Sequence, residues 1–130
     1  MGMGKQFTVD VLDVAEKLFK NEGEALFQEG ESARNFFVLL KGRVKLSLGK
    51  KGPVVYMARR PGEIIGWSGL IGRERYSASG ECMEETNLLK FNRDVFLDIL
   101  KKYPQNEALL FKRLAEMLGN RLIALYPTIS

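Results

Sequence analysis

The chain has 130 residues, 45% of them hydrophobic and 28% charged, with a formal net charge of +4, and this size and balance fit a single soluble domain. It contains no histidine and one cysteine, Cys82, which excludes a Ser-His-acid triad, an intrachain disulfide and a structural zinc site. We therefore expect neither an enzyme nor a metal site. No apolar run reaches the roughly 18 residues that span a bilayer, and residues 1–6 lack the apolar core of a secretion signal, so we expect a cytoplasmic protein.

The first predicted element is a short helix over residues 11–19, where apolar side chains recur mostly on one side. The sequence NEG at residues 21–23 ends it. Short apolar segments separated by glycine-containing turns follow, which is typical of a β-sandwich or β-barrel. These predicted strands cover residues 25–28, 36–40, 44–48, 54–58, 64–65, 78–83 and 87–91.

The predicted strand over residues 44–48 alternates apolar and polar residues. We expect Val44, Leu46 and Leu48 to face a core, and Lys45 and Ser47 to face water.

Two other features of the β region have more than one interpretation. Cys82 is interpreted as a small apolar residue that fills space on a strand, with a redox sensor as the alternative. Between residues 41 and 60 the chain carries seven basic residues and no acid. We interpret this stripe as the solvated face of a hairpin, and the alternative is a surface for phosphate, nucleic acid or an acidic partner.

The last third of the chain is predicted to be helical. Asn92 is a suitable N-cap for a helix with an apolar face. A longer helix is predicted from about residue 105 to residue 125, before Pro127. Its apolar residues cover more than one face, which favours a homodimer contact over packing against its own domain alone. The predicted dimer residues are Phe111, Leu114, Leu118 and Leu125.

Three motifs in order resemble those of a known family. Residues 23–31 read GEALFQEGE, residues 37–45 read FVLLKGRVK and residues 61–66 read PGEIIG. From about Leu18 to Leu125 the chain is similar to the cyclic-nucleotide-binding domain of catabolite activator proteins, kinase regulatory subunits and gated channels. The resemblance implies a mainly β fold, a double-stranded β-helix (jelly roll) with flanking helices and a long C-terminal helix.

The domain organisation that this implies is a single domain over residues 1–130. The β-roll would cover about 20–91 and the C-terminal helices about 92–126. Regulators of the catabolite-activator type have a helix-turn-helix domain after the long helix. No such domain follows in this sequence, which is either a stand-alone domain or a piece of a longer regulator, so we expect no direct DNA binding from it. The lack of a long apolar run predicts no membrane partner.

The family's ligand site is a cassette of a short helix and a loop. In the family, backbone N–H groups at the helix start and one arginine hold the cyclic phosphate, and a glutamate binds the ribose hydroxyl. The matching segment here is 66–78, in which Trp67 stands at the glutamate position and Tyr76 at the arginine position. Arg75 is one residue away and should face the other side of its strand. The candidate ligand-binding residues are Gly66, Trp67, Ser68, Gly69, Arg75, Tyr76, Ser77 and Ala78.

The functional hypothesis follows from the two charged contacts that this sequence lacks in comparison with the family, those of the glutamate and of the arginine. A hydrogen bond to a charged group is worth about 1.5–3 kcal/mol, so two losses weaken binding by about a hundred- to ten-thousandfold. We therefore expect a non-catalytic, dimeric sensor domain that binds a small, unidentified ligand other than cyclic AMP or cyclic GMP, or that has a pocket plugged by Trp67 and Tyr76. No cofactor is assigned.

Three alternatives remain open at this point. The chain could be a genuine cyclic-nucleotide-binding domain that uses Arg73 or Arg75 for the phosphate. It could be a ligand-free protein-interaction module. It could also bind nucleic acid through the basic stripe, with an affinity that falls steeply with salt.

Overall fold

The computed structural model of the protein describes residues 5–49, 52–113 and 116. Their contacts divide the chain into two units, one formed by Val14–Phe96 and the other by Met1–Asp13 with Leu97–Ser130. The elements in chain order are α1 (Lys5–Val14), β1 (Glu16–Lys20), β2 (Ala25–Phe27), β3 (Asn35–Lys41), β4 (Val44–Ser47), β5 (Val54–Ala58), β6 (Ile64–Ile65), α2 (Trp67–Ile71), β7 (Ser79–Cys82), β8 (Thr86–Asn92) and α3 (Arg93–Leu100), and residues 104–113 are also helical. Among the described helices, none is long and apolar enough to cross a membrane.

The larger unit consists of two antiparallel four-stranded sheets. Their strand orders are β1-β8-β3-β6 and β2-β7-β4-β5. One hydrophobic core takes residues from both sheets, among them Leu39 and Leu88 from the first and Val44 and Cys82 from the second. This arrangement confirms the predicted mainly β fold.

A glycine fixes the turn between β3 and β4. Gly42 has φ 117°, which side-chain-bearing residues rarely adopt. A β-carbon there would lie 2.5 Å from Thr86 Oγ1 and 2.7 Å from the α-carbon of that residue. Thr86 is fully buried at the start of β8 and its hydroxyl donates to the carbonyl of Glu84 at 2.8 Å. The turn therefore packs directly on the backbone of a neighbouring strand.

The predicted first helix was wrong in its position. The helix covers Lys5–Val14, and Glu16–Lys20 is strand β1, so the β-roll begins before residue 20. This strand pairs antiparallel with β8, with Leu18 opposite Leu88. The pairing with a strand distant in sequence overrides the local helical pattern.

The prediction for the end of β4 was also wrong. Strand β4 ends at Ser47, so Leu48 lies in the turn after it and is 44% exposed. Ser47 is buried, at 3% exposure, beside the point where β5 carries an extra residue in its pairing with β4.

Two local predictions were confirmed. The side chain of Asn92 caps α3, because its Oδ1 accepts a hydrogen bond from the N–H of Val95 at 3.2 Å. Cys82 is fully buried on β7, and burial raises the pKa of its thiol. A buried, protonated thiol behaves as an apolar residue rather than as a redox sensor.

The smaller unit is helical in its described part. The ring of Phe7 on α1 meets the ring of Tyr103 edge to face, with centroids 5.4 Å apart. The hydroxyl of Tyr103 donates to the Asp10 carboxylate at 2.5 Å, and this bond lowers the pKa of Asp10. An aromatic contact and a charged hydrogen bond thus join α1 to the segment after α3.

We predict that Gly42→Ala destabilises the protein more than Gly23→Ala does. Gly23 has φ 88°, and a β-carbon there would meet nothing within 4 Å beyond its chain neighbours, so its substitution adds backbone strain alone, about 1–3 kcal/mol. Gly42→Ala adds the overlap with Thr86, which should raise the loss by a further ~1–3 kcal/mol. Urea unfolding of both variants measures the difference, and equal losses would contradict the close packing of this turn on β8.

Candidate functional site

The cassette has the shape that the sequence predicts, a short helix and a loop between two strands. Gly66, with φ 82°, precedes α2, and Gly72, with φ 86°, ends it. Ser68, Gly69 and Leu70 are buried. Residues 73–78 then lead into β7.

Helix α2 lies directly against the backbone of β3. A β-carbon on Gly69 would come 1.9 Å from the carbonyl oxygen of Asn35, so only glycine permits this approach. A β-carbon on Gly66 would lie 3.4 Å from ring atoms of both Phe37 and Tyr76. These two glycines therefore bring the helix close to β3 and to the aromatic side chains beside it.

Tyr76, at the arginine position of the cassette, is part of the core. Its ring stacks on that of Phe27, with centroids 4.1 Å apart, and Phe27 in turn stacks on Phe37 at 5.9 Å. Its hydroxyl donates to the carbonyl of Asn35 at 2.7 Å. The side chain is only 6% exposed, and burial raises the pKa of its hydroxyl. A neutral aromatic group with its donor already used occupies this position.

The other cassette residues have different surroundings. Trp67 is half-buried at the start of α2, Ala78 is half-buried, and Ser77 is exposed. The hydroxyl oxygens of Ser68 and Ser77 lie 3.5 Å apart. The two serines are therefore brought together across the cassette.

Arg75 and Arg73 lie outside this cluster. Arg75 is exposed and pairs through its backbone with Ser32, and its Nη1 donates to the carbonyl of Gly30 at 2.7 Å. Both arginines line a cavity of about 340 Å³, whereas Tyr76 lines a different one. The expected opposite orientation of Arg75 and Tyr76 is therefore observed.

The cavity beside Tyr76 measures about 350 Å³. Its walls combine apolar side chains with two lysines. The lining residues are Leu18, Lys20, Leu26, Phe27, Glu31, Ser32, Asn35, Phe37, Tyr76 and Lys90. Lys90 lies 4.0 Å from a carboxylate oxygen of Glu16. Such a cavity suits a small ligand with an apolar body and an acidic group.

The basic stripe of residues 41–60 is partly neutralised by acids from β7 and the turn after it. Arg43 forms an ion pair with Glu84 at 2.6 Å, and Lys45 lies 3.7 Å from Glu81 on β7. Lys50 and Lys51 lie outside the described residues. Opposite charges beside these basic residues favour the interpretation as a solvated face over a nucleic-acid surface.

The predicted dimer helix is described only in part. Residues 104–113 are helical, and Phe111 is 44% exposed. Leu114, Leu118 and Leu125 lie outside the described residues, so the dimer contact stays a prediction.

Sequence reasoning did not identify several residues that shape the site. The backbone carbonyl of Asn35 carries no sequence signal. Glu63 follows the Pro-Gly pair of the third motif, which could have identified it. Its carboxylate is buried and accepts hydrogen bonds from the Tyr56 hydroxyl at 2.5 Å and from the N–H groups of Arg59 and Arg60 at 2.9 and 2.8 Å. These bonds hold the turn that leads through β6 to α2.

Comparison with known proteins gives a consistent family. A family model described as "Cyclic nucleotide-binding domain" matches residues 18–103. A "Cyclic AMP receptor protein" from Thermus thermophilus is 28% identical over 104 residues, which cover 78% of this chain and 46% of that protein. A "Cyclic nucleotide-gated channel beta-1" from Bos taurus is 25% identical over 122 residues, 92% of this chain and 9% of the channel. The chain thus spans less than half the length of these relatives.

Solved structures have the same fold. A putative cyclic nucleotide-binding protein from Geobacter metallireducens superimposes with a TM-score of 0.79 at 23% identity, covering 92% of this chain and 87% of that one. The catabolite activator protein of Thermus thermophilus has a TM-score of 0.71 at 23% identity, covering 95% of this chain and 62% of that one. At this identity the structures establish the fold, a jelly roll with flanking helices.

We predict that Tyr76→Phe reduces the free energy of unfolding at pH 7 by about 1–3 kcal/mol, because the carbonyl of the half-buried Asn35 loses the donor of the buried Tyr76. The loss should shrink as the pH rises. The folded-state pKa of Tyr76 is raised above its ordinary value of 10.0. The Tyr76 hydroxyl therefore contributes its full stabilisation of the fold below pH 10, and this stabilisation is lost as the pH rises through the folded-state pKa. Urea unfolding between pH 7 and 11 measures both effects, and a constant difference would contradict the burial of this hydroxyl.

Proposed function

The chain belongs to the cyclic nucleotide-binding domain family, and we propose that it is a non-catalytic regulatory domain whose ligand is a small molecule other than cyclic AMP or cyclic GMP. The observation that carries this proposal is the position of Tyr76. The residue that would hold the cyclic phosphate in the family is here a buried tyrosine stacked on Phe27.

A cyclic phosphate would lack the family's bidentate guanidinium partner at this point. The Tyr76 hydroxyl is neutral and already donates to Asn35. Trp67, at the glutamate position, supplies no carboxylate for a ribose hydroxyl. A phosphate placed beside these rings would lose water without gaining the guanidinium and carboxylate contacts that the family provides, which is costly.

The neighbouring arginines do not compensate for the loss. Arg75 is held by the carbonyl of Gly30 and lines the other cavity together with Arg73. Turning Arg75 to the side of Tyr76 would require breaking the backbone pairing of residues 31–33 with residues 74–76. This geometry disfavours the alternative of a genuine cyclic-nucleotide site.

The cavity beside Tyr76 supports a different ligand class. Phe27, Phe37 and Tyr76 form its apolar wall, and Lys20 and Lys90 outnumber its one acidic lining residue, Glu31. Its volume of about 350 Å³ is at the lower end of the ~300–1,000 Å³ that is usual for ligand sites. A small carboxylic acid with an aromatic or aliphatic body matches this combination.

The partner in this proposal is a second copy of the chain in the cytoplasm. The sequence-predicted contact is the helix with Phe111, Leu114, Leu118 and Leu125, whose apolar residues exceed what one face requires. A ligand would regulate such a dimer only by binding two arrangements of it with different affinities.

We predict that wild-type protein shows no thermal stabilisation by cyclic AMP or cyclic GMP at micromolar concentrations. The double variant Trp67→Glu/Tyr76→Arg should be stabilised by cyclic AMP, because it restores both family side chains. A ligand at a hundred times its dissociation constant stabilises by about 2.7 kcal/mol, so a melting curve detects it.

The matched control for this comparison is Tyr76→Phe, which keeps the ring and adds no charge. Cooperative melting of the double variant shows that it folds. Stabilisation of the wild type by micromolar cyclic AMP would contradict the proposal.

We also predict that benzoate or octanoate binds the cavity beside Tyr76. Lys20→Met and Lys90→Met should each weaken binding about tenfold or more, since each removes a charged hydrogen-bond donor. Lys17→Met is the control, because Lys17 lies on the same strand and outside the cavity. Isothermal titration measures the affinities. Absence of binding by any small acid would instead favour a ligand-free interaction module.

A further inference from the structure

The second cavity of the β-roll lies where three segments converge. These are residues 32–34 before β3, residues 72–75 after α2, and Arg93 at the start of α3. Backbone hydrogen bonds hold them together. The N–H of Ala33 donates to Glu74 at 2.9 Å, and the N–H of Arg93 donates to Arg34 at 3.0 Å. The walls of the cavity are therefore fixed by main-chain contacts.

The cavity is strongly basic. Arg34, Arg73, Arg75 and Arg93 line it, and the one carboxylate among the lining residues is that of Glu74. The lining residues thus carry a formal charge of +3 around a volume of about 340 Å³. Like charges held this close repel one another, and a bound anion would relieve that repulsion.

Two of the arginines are held in place by their own contacts. Arg75 donates to the Gly30 carbonyl at 2.7 Å. Arg93 lies 3.5 Å from a carboxylate oxygen of Asp94, and its side chain is only 25% exposed. The Arg93 guanidinium also lies close to Gly72, since a β-carbon built on Gly72 would be 3.9 Å from Arg93 Nη1.

The other two arginines retain their donors. Within residues 5–49, 52–113 and 116, no carboxylate lies within 4.0 Å of Arg34 or Arg73. A guanidinium has five N–H donors and binds phosphate in a bidentate manner. The cavity therefore offers many unused donors in one small concave space.

We propose that this arginine cavity (Arg34, Arg73, Arg75 and Arg93) binds the phosphate or pyrophosphate group of a small phosphorylated molecule. Guanidinium groups match phosphate oxygens in geometry and charge. The concave shape and the volume fit a small ligand, whereas a nucleic-acid surface would extend as a stripe along the protein. The cavity is separate from the one beside Tyr76, so the proposal stands apart from the ligand of that cavity.

The test is isothermal titration of the full chain with inorganic pyrophosphate at pH 7, at two salt concentrations. Arg34→Gln and Arg73→Gln should each weaken binding about tenfold or more, and Arg73→Lys should have an intermediate effect because it keeps the charge but loses the bidentate geometry. Arg60→Gln is the matched control, an exposed arginine outside the cavity that changes the net charge equally. It should bind like the wild type.

Amide chemical shifts locate the bound probe. Pyrophosphate should move the signals of Gly72, Arg73 and Arg93, and leave those of Lys20 and Leu26 in the other cavity unchanged. Three results would overturn the proposal: no heat of binding at millimolar pyrophosphate, an equal loss in Arg60→Gln, or shifts centred on Lys20 and Leu26. Unchanged melting temperatures of the variants show that they fold, so a lost affinity reports on the cavity itself.

Discussion

The conformation of the cassette depends on interactions with one group, the backbone carbonyl of Asn35. It accepts the hydrogen bond of the buried Tyr76 hydroxyl, and helix α2 approaches it so closely that Gly69 has no room for a β-carbon. One atom of β3 therefore positions both the helix and the far end of the loop. A buried hydroxyl such as that of Tyr76 costs about 1–3 kcal/mol when it lacks an acceptor, so the loop is held in the conformation that keeps the Tyr76 hydroxyl bonded to Asn35.

The alternation of side chains along an extended segment then determines the chemistry of both cavities. Tyr76 points into the core because its hydroxyl must reach Asn35, and Arg75, one residue earlier, consequently points outward. A shift of one residue would exchange the two. The same register that places the Tyr76 ring in the core thus adds the Arg75 guanidinium to the arginine cavity.

The sequence was sufficient for features that depend on local residues and insufficient for those that depend on distant pairing. The glycines of the three motifs and the cap at Asn92 were predicted correctly, since turn and cap conformations follow from a few neighbouring residues. Strand β1 was missed because it forms by pairing with β8, and the exposure of Leu48 was missed because β4 ends one residue earlier, at Ser47. The arginine cavity could not be predicted, because Arg34 and Arg93 meet only through the pairing of β3 with β8.

The two cavities share a wall, the segment of residues 31–33. The N–H of Tyr76 donates to the carbonyl of Glu31, Ser32 pairs with Arg75, and Ser32 lines both cavities. A displacement of this segment would therefore change the position of Tyr76 on one side and of Arg75 on the other. Ligands in the two cavities would influence each other only to the extent that each binds two positions of this wall with different affinities. Any such coupling between the two cavities would pass through the short backbone pairing of residues 31–33 with residues 74–76, rather than through the whole domain.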